Sequence, residues 1–561
     1  MKKLVLVGLV LLASVIVLVG CDTNAGDTPS STGGTTQQPG SEGTGGSPMS
    51  VTLEDTDSDG FYEIGTADEL YAFAAAVKEG KTTINGKLTS NIIVNETVLD
   101  KQGNLSENVS FRPWTPIGNG DTPYTGIFDG ADKTIKGLYF NDTNADYAGL
   151  FGFLGEGGSV QNLGVLDSYF CGGICVGGVV GVNGGEVSNC YNEGTVSGTV
   201  SYCSVGGVVG SNWGQVNTCY NTGSVSGTVT GEDSYCYVGG VVGENWGRVT
   251  TCHNTGFVSG TGEDSLCSVG GVVGQNHGTV TNCHNTGSVS GTSEVSHCSV
   301  GGVVGYNWSQ VNTCYNTGSV SGTSEGYSCR VGGVVGVNEG AVTNCYNTED
   351  VTGKGYSCSV GGIVGLNLNQ VNTCYNTGSV SGTSEGSHCS VGGVVGYNWD
   401  QVTTCHNTGF VSGTGSCYYV GGVAGDNESD ATVGNCYNTG SVSGTGTEES
   451  KYRYVGGVVG QNHGDVNTCY NTGSVTGEDA TCYVGGVVGA TAGEVTTCYY
   501  LSGKATGGIY GEDEIGKAEA RDESFFEGVK MAEFLNTNQE DSPWEYISGN
   551  SAPTLKAFNN G

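Results

Sequence analysis

Basic residues are scarce in this chain. Lys and Arg together number 19 in 561 residues, against 55 Asp and Glu, and the net charge is −36. Holding a phosphate backbone needs a basic face, so this balance argues against nucleic acid as a partner. It argues equally against electrostatic docking on anionic lipid. Charged residues of both signs make up only 13%, about half of what a globular domain usually carries. Proline is rare at 8 residues, while Gly reaches 103 and Tyr 29. That combination fits neither collagen nor a disordered tail. The His-Glu-x-x-His pattern of zinc peptidases is absent from the sequence. A repetitive, β-rich chain is the class that remains.

Residues 1–20 read as an export signal, with Lys2 and Lys3 ahead of an apolar run from Leu4 to Val19. The ending Leu18-Val19-Gly20-Cys21 resembles the lipobox of prokaryotic lipoproteins. That resemblance implies cleavage before Cys21, lipidation of its thiol, and acyl chains as the membrane anchor. Residues 21–49 hold Gly, Ser, Thr, Gln and Pro with almost nothing apolar, which is the composition of a flexible tether.

Residues 50–147 are expected to form an N-terminal cap and the first coils. Thr66-Ala67-Asp68-Glu69 has capping-box spacing. Leu70, Phe73, Ala74 and Val77 follow as one apolar helical stripe, and Gly80 ends it. Strand-like segments come next at Ile92-Ile93-Val94, Gly126-Ile127-Phe128 and Thr134 to Phe140.

Residues 148–500 are a repeat. Val-Gly-Gly-Val-Val-Gly or a near variant recurs from Gly177 to Gly485, at intervals of 29 to 35 residues, with a divergent copy at Ala148-Gly149-Leu150-Phe151-Gly152. Each unit continues through Asn-x-Gly-x-Val to Cys-Tyr-Asn-Thr-Gly-Ser-Val-Ser-Gly, and length varies mainly just after it. Insertions at one point map to one loop edge of a stacked array. Gly-Gly-Val-Val-Gly is costly inside a helix, whereas three short β segments per unit suit one coil of a parallel β-helix. The expected fold is therefore all-β, a parallel solenoid of about 12 rungs with caps at both ends, on the order of 55–60 Å long at strand spacing. An Asn column from Asn183 to Asn462 and a second from Asn192 to Asn471 predict amide ladders along the stack, and Asn tolerates the turns of coil corners.

The repeat resembles the GLUG motif of bacterial and archaeal surface proteins, also found near certain immunoglobulin-cleaving peptidases. The likeness implies a right-handed β-helix with an adhesive or structural role and no defined enzyme activity.

The cysteines form two columns 16 residues apart within a unit. The candidate within-coil disulfides are Cys203–Cys219, Cys236–Cys252, Cys267–Cys283, Cys298–Cys314, Cys329–Cys345, Cys358–Cys374, Cys389–Cys405 and Cys482–Cys498. Axial pairs within one column, or buried thiols acting as small apolar side chains, are the alternatives. Arg453 stands where Cys469 would need its partner. Cys171 and Cys175 are too sparse for a metal site, and no metal is assigned.

Asp55, Asp57, Asp59 and Glu63 match the first half of a calcium loop; Thr66 falls where the closing Glu would stand, so an acidic turn is the competing reading. All seven His fall in repeat columns or the variable loop, not in a matched catalytic set. Acidic pairs such as Glu263-Asp264 read as solvated loop charge. The chain is accordingly expected not to be an enzyme. Trp213, Trp246, Trp308 and Trp399 share one column and form a candidate ligand face, since aromatic faces suit sugars. The expected role is a structural or adhesive protein, lipid-anchored outside the cytoplasm, whose partners are the membrane and a glycan or surface protein. The alternative is a polysaccharide-binding or polysaccharide-degrading β-helix. Residues 501–561 read as a C-terminal cap, with a helix over Glu519 to Phe534.

Overall fold

A computed structural model describes residues 51–559 except 232–233, 264, 417–418, 447–451, 479–480, 512–513, 538 and 540. Cys21 and the tether lie outside the described residues.

The repeat folds because its apolar positions are Val and Cys spaced two apart on short strands. β-Branched side chains suit a pleated, buried surface, and each fully buried Val contributes roughly 1.5–3 kcal/mol relative to exposure. One continuous core runs from Ile64 to Ala518 through these columns. Three parallel sheets wrap it. One has a single strand per coil, and its twelve strands run from Phe151–Leu154 to Val488–Thr491, which counts twelve coils. The first sheet takes two short strands per coil, for example Gln215–Asn217 and Tyr220–Asn221. The second takes an outgoing and a returning strand, Val225–Val229 and Tyr235–Gly239. Where the connecting loop is short these merge into one strand, as in Val320–Gly332. Length variation thus collects at one edge of the rod.

Both expected Asn ladders form. In the first, each Nδ2 donates to the Oδ1 of the next coil at 2.7–2.8 Å, from Asn183 to Asn462. The second runs from Asn192 to Asn471 at 2.8–2.9 Å. Every ladder Asn is fully buried. The Gly-Gly corner exists to admit the second ladder. A Cβ on Gly207 would lie 2.4 Å from Asn221 Cγ and 2.2 Å from the Gly240 carbonyl oxygen.

The left-handed corner is not at the ladder Asn. It falls three residues before it in the chain's Thr/Asn-Cys-Tyr/His-Asn run, at the residue preceding each Cys: Asn189, Thr218, Thr251, Asn282, Thr313, Asn344, Thr373, Thr404, Asn435, Thr468 and Thr497, all with φ of 52–56°. This kink separates the two short strands of the first sheet. Thr is costly there, since a β-branched residue rarely adopts positive φ.

Helix α1 (Ala67–Lys78) carries the expected capping box between Thr66 and Glu69. Its buried face is Leu70, Phe73, Ala74, Ala76 and Val77, and Phe73 meets Tyr124 and Phe128 edge-on. The C-terminal region differs from the single expected helix. Ala518–Arg521 is a strand paired with Cys498–Leu501. Asp522 then caps a short helix α2 (Glu523–Phe526), and Gly528 separates it from α3 (Val529–Leu535). The last coil is covered by Ala518–Arg521 and by Ile509, which bridges to Val488. The rest folds back along the rod's flank.

Candidate functional site

Two aromatic columns run along the rod. The inner one is the Tyr/His position that follows each second-column Cys. Its rings stack face to face from Tyr191 through Tyr220, His253, His284, Tyr315, Tyr346, Tyr375, His406 and Tyr437 to Tyr470, with centroids 4.6–5.1 Å apart. In-register pairing imposes this spacing. The C-terminal region packs over the far end of the stack. Phe558 meets His406 and Tyr375 edge-on at 4.5 and 5.7 Å, and Trp544 and Phe526 cover Tyr470. Burial holds the His406 imidazole down to about 3. His253 and His284 are likewise lowered by burial. These histidines serve as wall residues interchangeable with Tyr.

The outer column contains the Trp residues expected to present ring faces. Trp213, Trp246, His277 and Trp308 are continuous, with centroids at 5.1, 3.9 and 5.8 Å and planes within 11°. Their faces are spent on one another, so solvent meets mostly ring edges. Trp399 stands apart, because Glu339 and Leu368 interrupt the column before it and Glu428 follows it. Glu339 and Glu428 accept hydrogen bonds from the Tyr306 and Tyr397 hydroxyls.

One face at the head of this column stays open. The preceding coil has Gly184 where Trp would stand, and Trp213 is 60% exposed. A cavity of about 480 Å³ adjoins it, lined by Tyr147, Phe153, Ile174, Cys175, Val182, Gly184, Ser211, Trp213 and Glu244. Tyr147 and Phe153 meet edge-on at 5.6 Å, forming an aromatic wall. Burial pushes the Glu244 carboxyl up, against hydrogen bonds from Trp246, Ser204 and Ser211. A flat ring, an apolar wall and a half-buried carboxyl beside a hydroxyl can hold a sugar-sized amphipathic ring. Sequence reasoning missed Tyr147, Phe153 and Glu244. The signal was Gly184 itself, a gap in an otherwise bulky column.

The acidic loop is partly assembled. Carboxylate oxygens of Asp55, Asp57 and Glu63 lie within 4.8 Å of one another. Asp59 does not join them: it accepts the Phe61 N–H at 2.9 Å and pairs with Lys87 at 3.2 Å. Glu63 accepts from the Thr56 N–H and hydroxyl, and these bonds hold its carboxyl below the usual range. The oxygens a calcium ion would need already serve as turn acceptors.

None of the eight within-coil cysteine bridges is present, from Cys203–Cys219, Cys236–Cys252, Cys267–Cys283 and Cys298–Cys314 to Cys329–Cys345, Cys358–Cys374, Cys389–Cys405 and Cys482–Cys498. The two members of each pair belong to different sheets, Cys203 to the returning strand of the second and Cys219 to the kink of the first. Cys358 is bonded to Cys389 instead, one coil on, with Cα atoms 4.5 Å apart.

The coil geometry, with its Gly-Gly corner, Asn ladder and Cys-Tyr-Asn turn, coincides with a known motif at residues 172–197, 265–290, 327–352 and 452–476. These four segments are GLUG motifs. Two relatives resemble part of the chain. Halomucin of Haloquadratum walsbyi is 42% identical over 77 residues, which is 14% of this chain and 1% of that protein. A protein of Evansella cellulosilytica, described as a Gly-rich membrane protein, is 35% identical over 79 residues, 14% of this chain and 9% of its own. The chain thus matches only a small part of either relative. A crystal structure from Bacteroides ovatus, described as an immunoglobulin A1 protease, superposes with a TM-score of 0.35 at 21% identity, covering 53% of this chain and 77% of that one. That likeness is too weak to bear on function.

Proposed function

We propose that this GLUG-repeat chain is a non-catalytic structural or adhesive rod, displayed outside the cytoplasm and anchored by lipid on Cys21. The observation that carries the reading is the uniformity of the coils. The same buried ladders recur in coil after coil, and the histidines occupy stacking positions rather than converging with an acid or nucleophile. The description of one relative as a membrane protein supports the location. Residues 310–326 and 370–386 are identical, so deleting 310–369 joins equal registers. The expected product is a rod two coils shorter that folds and still coats or adheres to its surface. Loss of that function in a folded deletion would refute a distributed role. For the anchor, cells expressing the Cys21→Ser variant should lose incorporation of a labelled fatty acid into this protein; retained label would refute lipidation there.

A second reading rests on Trp213. Its open face beside Glu244 and the Tyr147–Phe153 wall supports binding of a neutral glycan, because anionic sugars would be repelled by the chain's net charge of −36.

A further inference from the structure

We propose that the cysteine column of the second sheet is an axial disulfide ladder, in which each bridge staples one coil to the next. Strand register places Cys203, Cys236, Cys267, Cys298, Cys329, Cys358 and Cys389 directly opposite one another through seven successive coils. All are buried. Cys358 and Cys389 are bonded, and the Sγ atoms of Cys203 and Cys236 approach to 2.6 Å. The 4.5 Å Cα separation of the bonded pair lies within the range a disulfide spans. Parallel neighbours anywhere in a sheet sit close to that distance, so register alone gives every member of the column a partner above and below.

The other column is built differently. There each sulfur donates to the carbonyl two residues back, Cys219 to Asn217 at 3.3 Å and Cys314 to Asn312 at 3.3 Å. It also accepts the N–H of the Cys one coil earlier, as Cys219 does from Cys190 at 3.5 Å and Cys345 from Cys314 at 3.4 Å. Bridging would remove the S–H donor to these half-buried carbonyls and pull the sulfur off the backbone N–H it accepts. The second column therefore stays reduced while the first is oxidised.

Each bridge forms by thiol–disulfide exchange with a disulfide-bearing oxidant. A thiolate attacks the oxidant's disulfide to form a mixed disulfide and expels one oxidant thiolate. The neighbouring thiolate then attacks the protein sulfur of the mixed disulfide and expels the other, and the two protons from the cysteines leave on the two reduced oxidant thiols. Burial pushes the Cys329 thiol up to about 12, so reaction belongs to the folding chain, before the coils close. Seven is odd. With Cys203–Cys236 and Cys358–Cys389 joined, only one adjacent pair can bridge among Cys267, Cys298 and Cys329, and one thiol is left over.

The test is peptide mapping of the full chain, folded with reduced and oxidised glutathione, then alkylated in denaturant without reduction. The expected map shows Cys203–Cys236, Cys358–Cys389 and one bridge among the middle three, with Cys219, Cys252, Cys314 and Cys345 fully alkylated. Complete alkylation of the first column, or any bridge joining the two columns, would overturn the proposal. In Cys236→Ser, Cys203 should become alkylatable while Cys358–Cys389 persists. An unchanged Cys203 would overturn it as well.

Discussion

Replacing Asn307 by Ala should open the rod locally and measurably. Asn307 accepts from Asn276 at 2.8 Å and donates to Asn338 at 2.8 Å. It also donates to the Ser309 carbonyl at 3.0 Å and accepts the Ser309 N–H at 3.2 Å. Alanine removes all four bonds, leaving the Asn276 Nδ2 with only the Gly278 and Gln310 carbonyls at 3.0 and 3.3 Å and the Asn338 Oδ1 with only the Gly340 N–H at 3.2 Å. At about 1 kcal/mol per bond the loss is roughly 3–5 kcal/mol. Threonine should cost only about 1–2 kcal/mol. The chain already shows how: Thr491 accepts from Asn462 at 3.1 Å and exchanges bonds with Gly493 at 3.0 and 3.2 Å. Hydrogen exchange resolved by peptide is the suitable assay, because a solenoid opens coil by coil and the loss should fade within neighbouring coils. Equal costs for Ala and Thr, or an Ala cost under about 1 kcal/mol, would refute the ladder as a source of stability.

Four further outcomes are expected. Gly184→Trp should extend the outer stack over Trp213 and abolish neutral-glycan binding on an array, as should Trp213→Ala; binding unaffected by Gly184→Trp would place the site elsewhere. Burial and Glu428 push the Asp426 carboxyl up to about 8, so the folded chain keeps a proton that the unfolded chain releases near its ordinary value. Stability should then fall as pH rises from about 4 to about 8, by at most about 6 kcal/mol, and Asp426→Asn should flatten denaturation midpoints across that window. His406 behaves oppositely: held down to about 3, it stays neutral when folded, so the packing it supports is complete above about 6.5 and weakens as pH falls towards 3. Proteolysis at acid pH should cut within residues 523–559 first, and His406→Tyr should suppress that sensitivity. Thr313→Asn should raise stability by about 0.5–1 kcal/mol, because φ is 55° there and Asn tolerates the left-handed region far better than Thr; a fall in Tm would refute the strain.

Repeating positions made most of the architecture readable in advance. Once Asn183 to Asn462 are seen to recur beside Val-Gly-Gly, stacking in register puts each amide against the next, and the ladder follows from strand spacing. The stripe of α1 was readable because periodicity of 3.6 ended at Gly80. Relations between columns were not readable. A spacing of 16 residues between Cys203 and Cys219 says nothing about which sheet each joins, and the αL kink at Thr218 lies between them. Ring orientation was equally hidden: a column of Trp is the same string whether faces point outward or towards one another. The cleft beside Trp213 depends on Tyr147 and Phe153, which belong to the irregular first coils where no repeat guides the eye.

The amide ladders also give the rod a direction. Every ladder Nδ2 points towards the C-terminal end, so stopping at any coil would present a pair of buried donors seeking another identical coil. At Thr491 a hydroxyl closes onto Gly493, and at Tyr500, opposite Asn471, an aromatic ring takes the place of the next amide. Ala518–Arg521 and Ile509 then lie across what would be the landing strip. Copy number can therefore drift in the middle of the array while the tip stays blunt, and coils added by duplication lengthen one molecule without inviting molecules to join end to end.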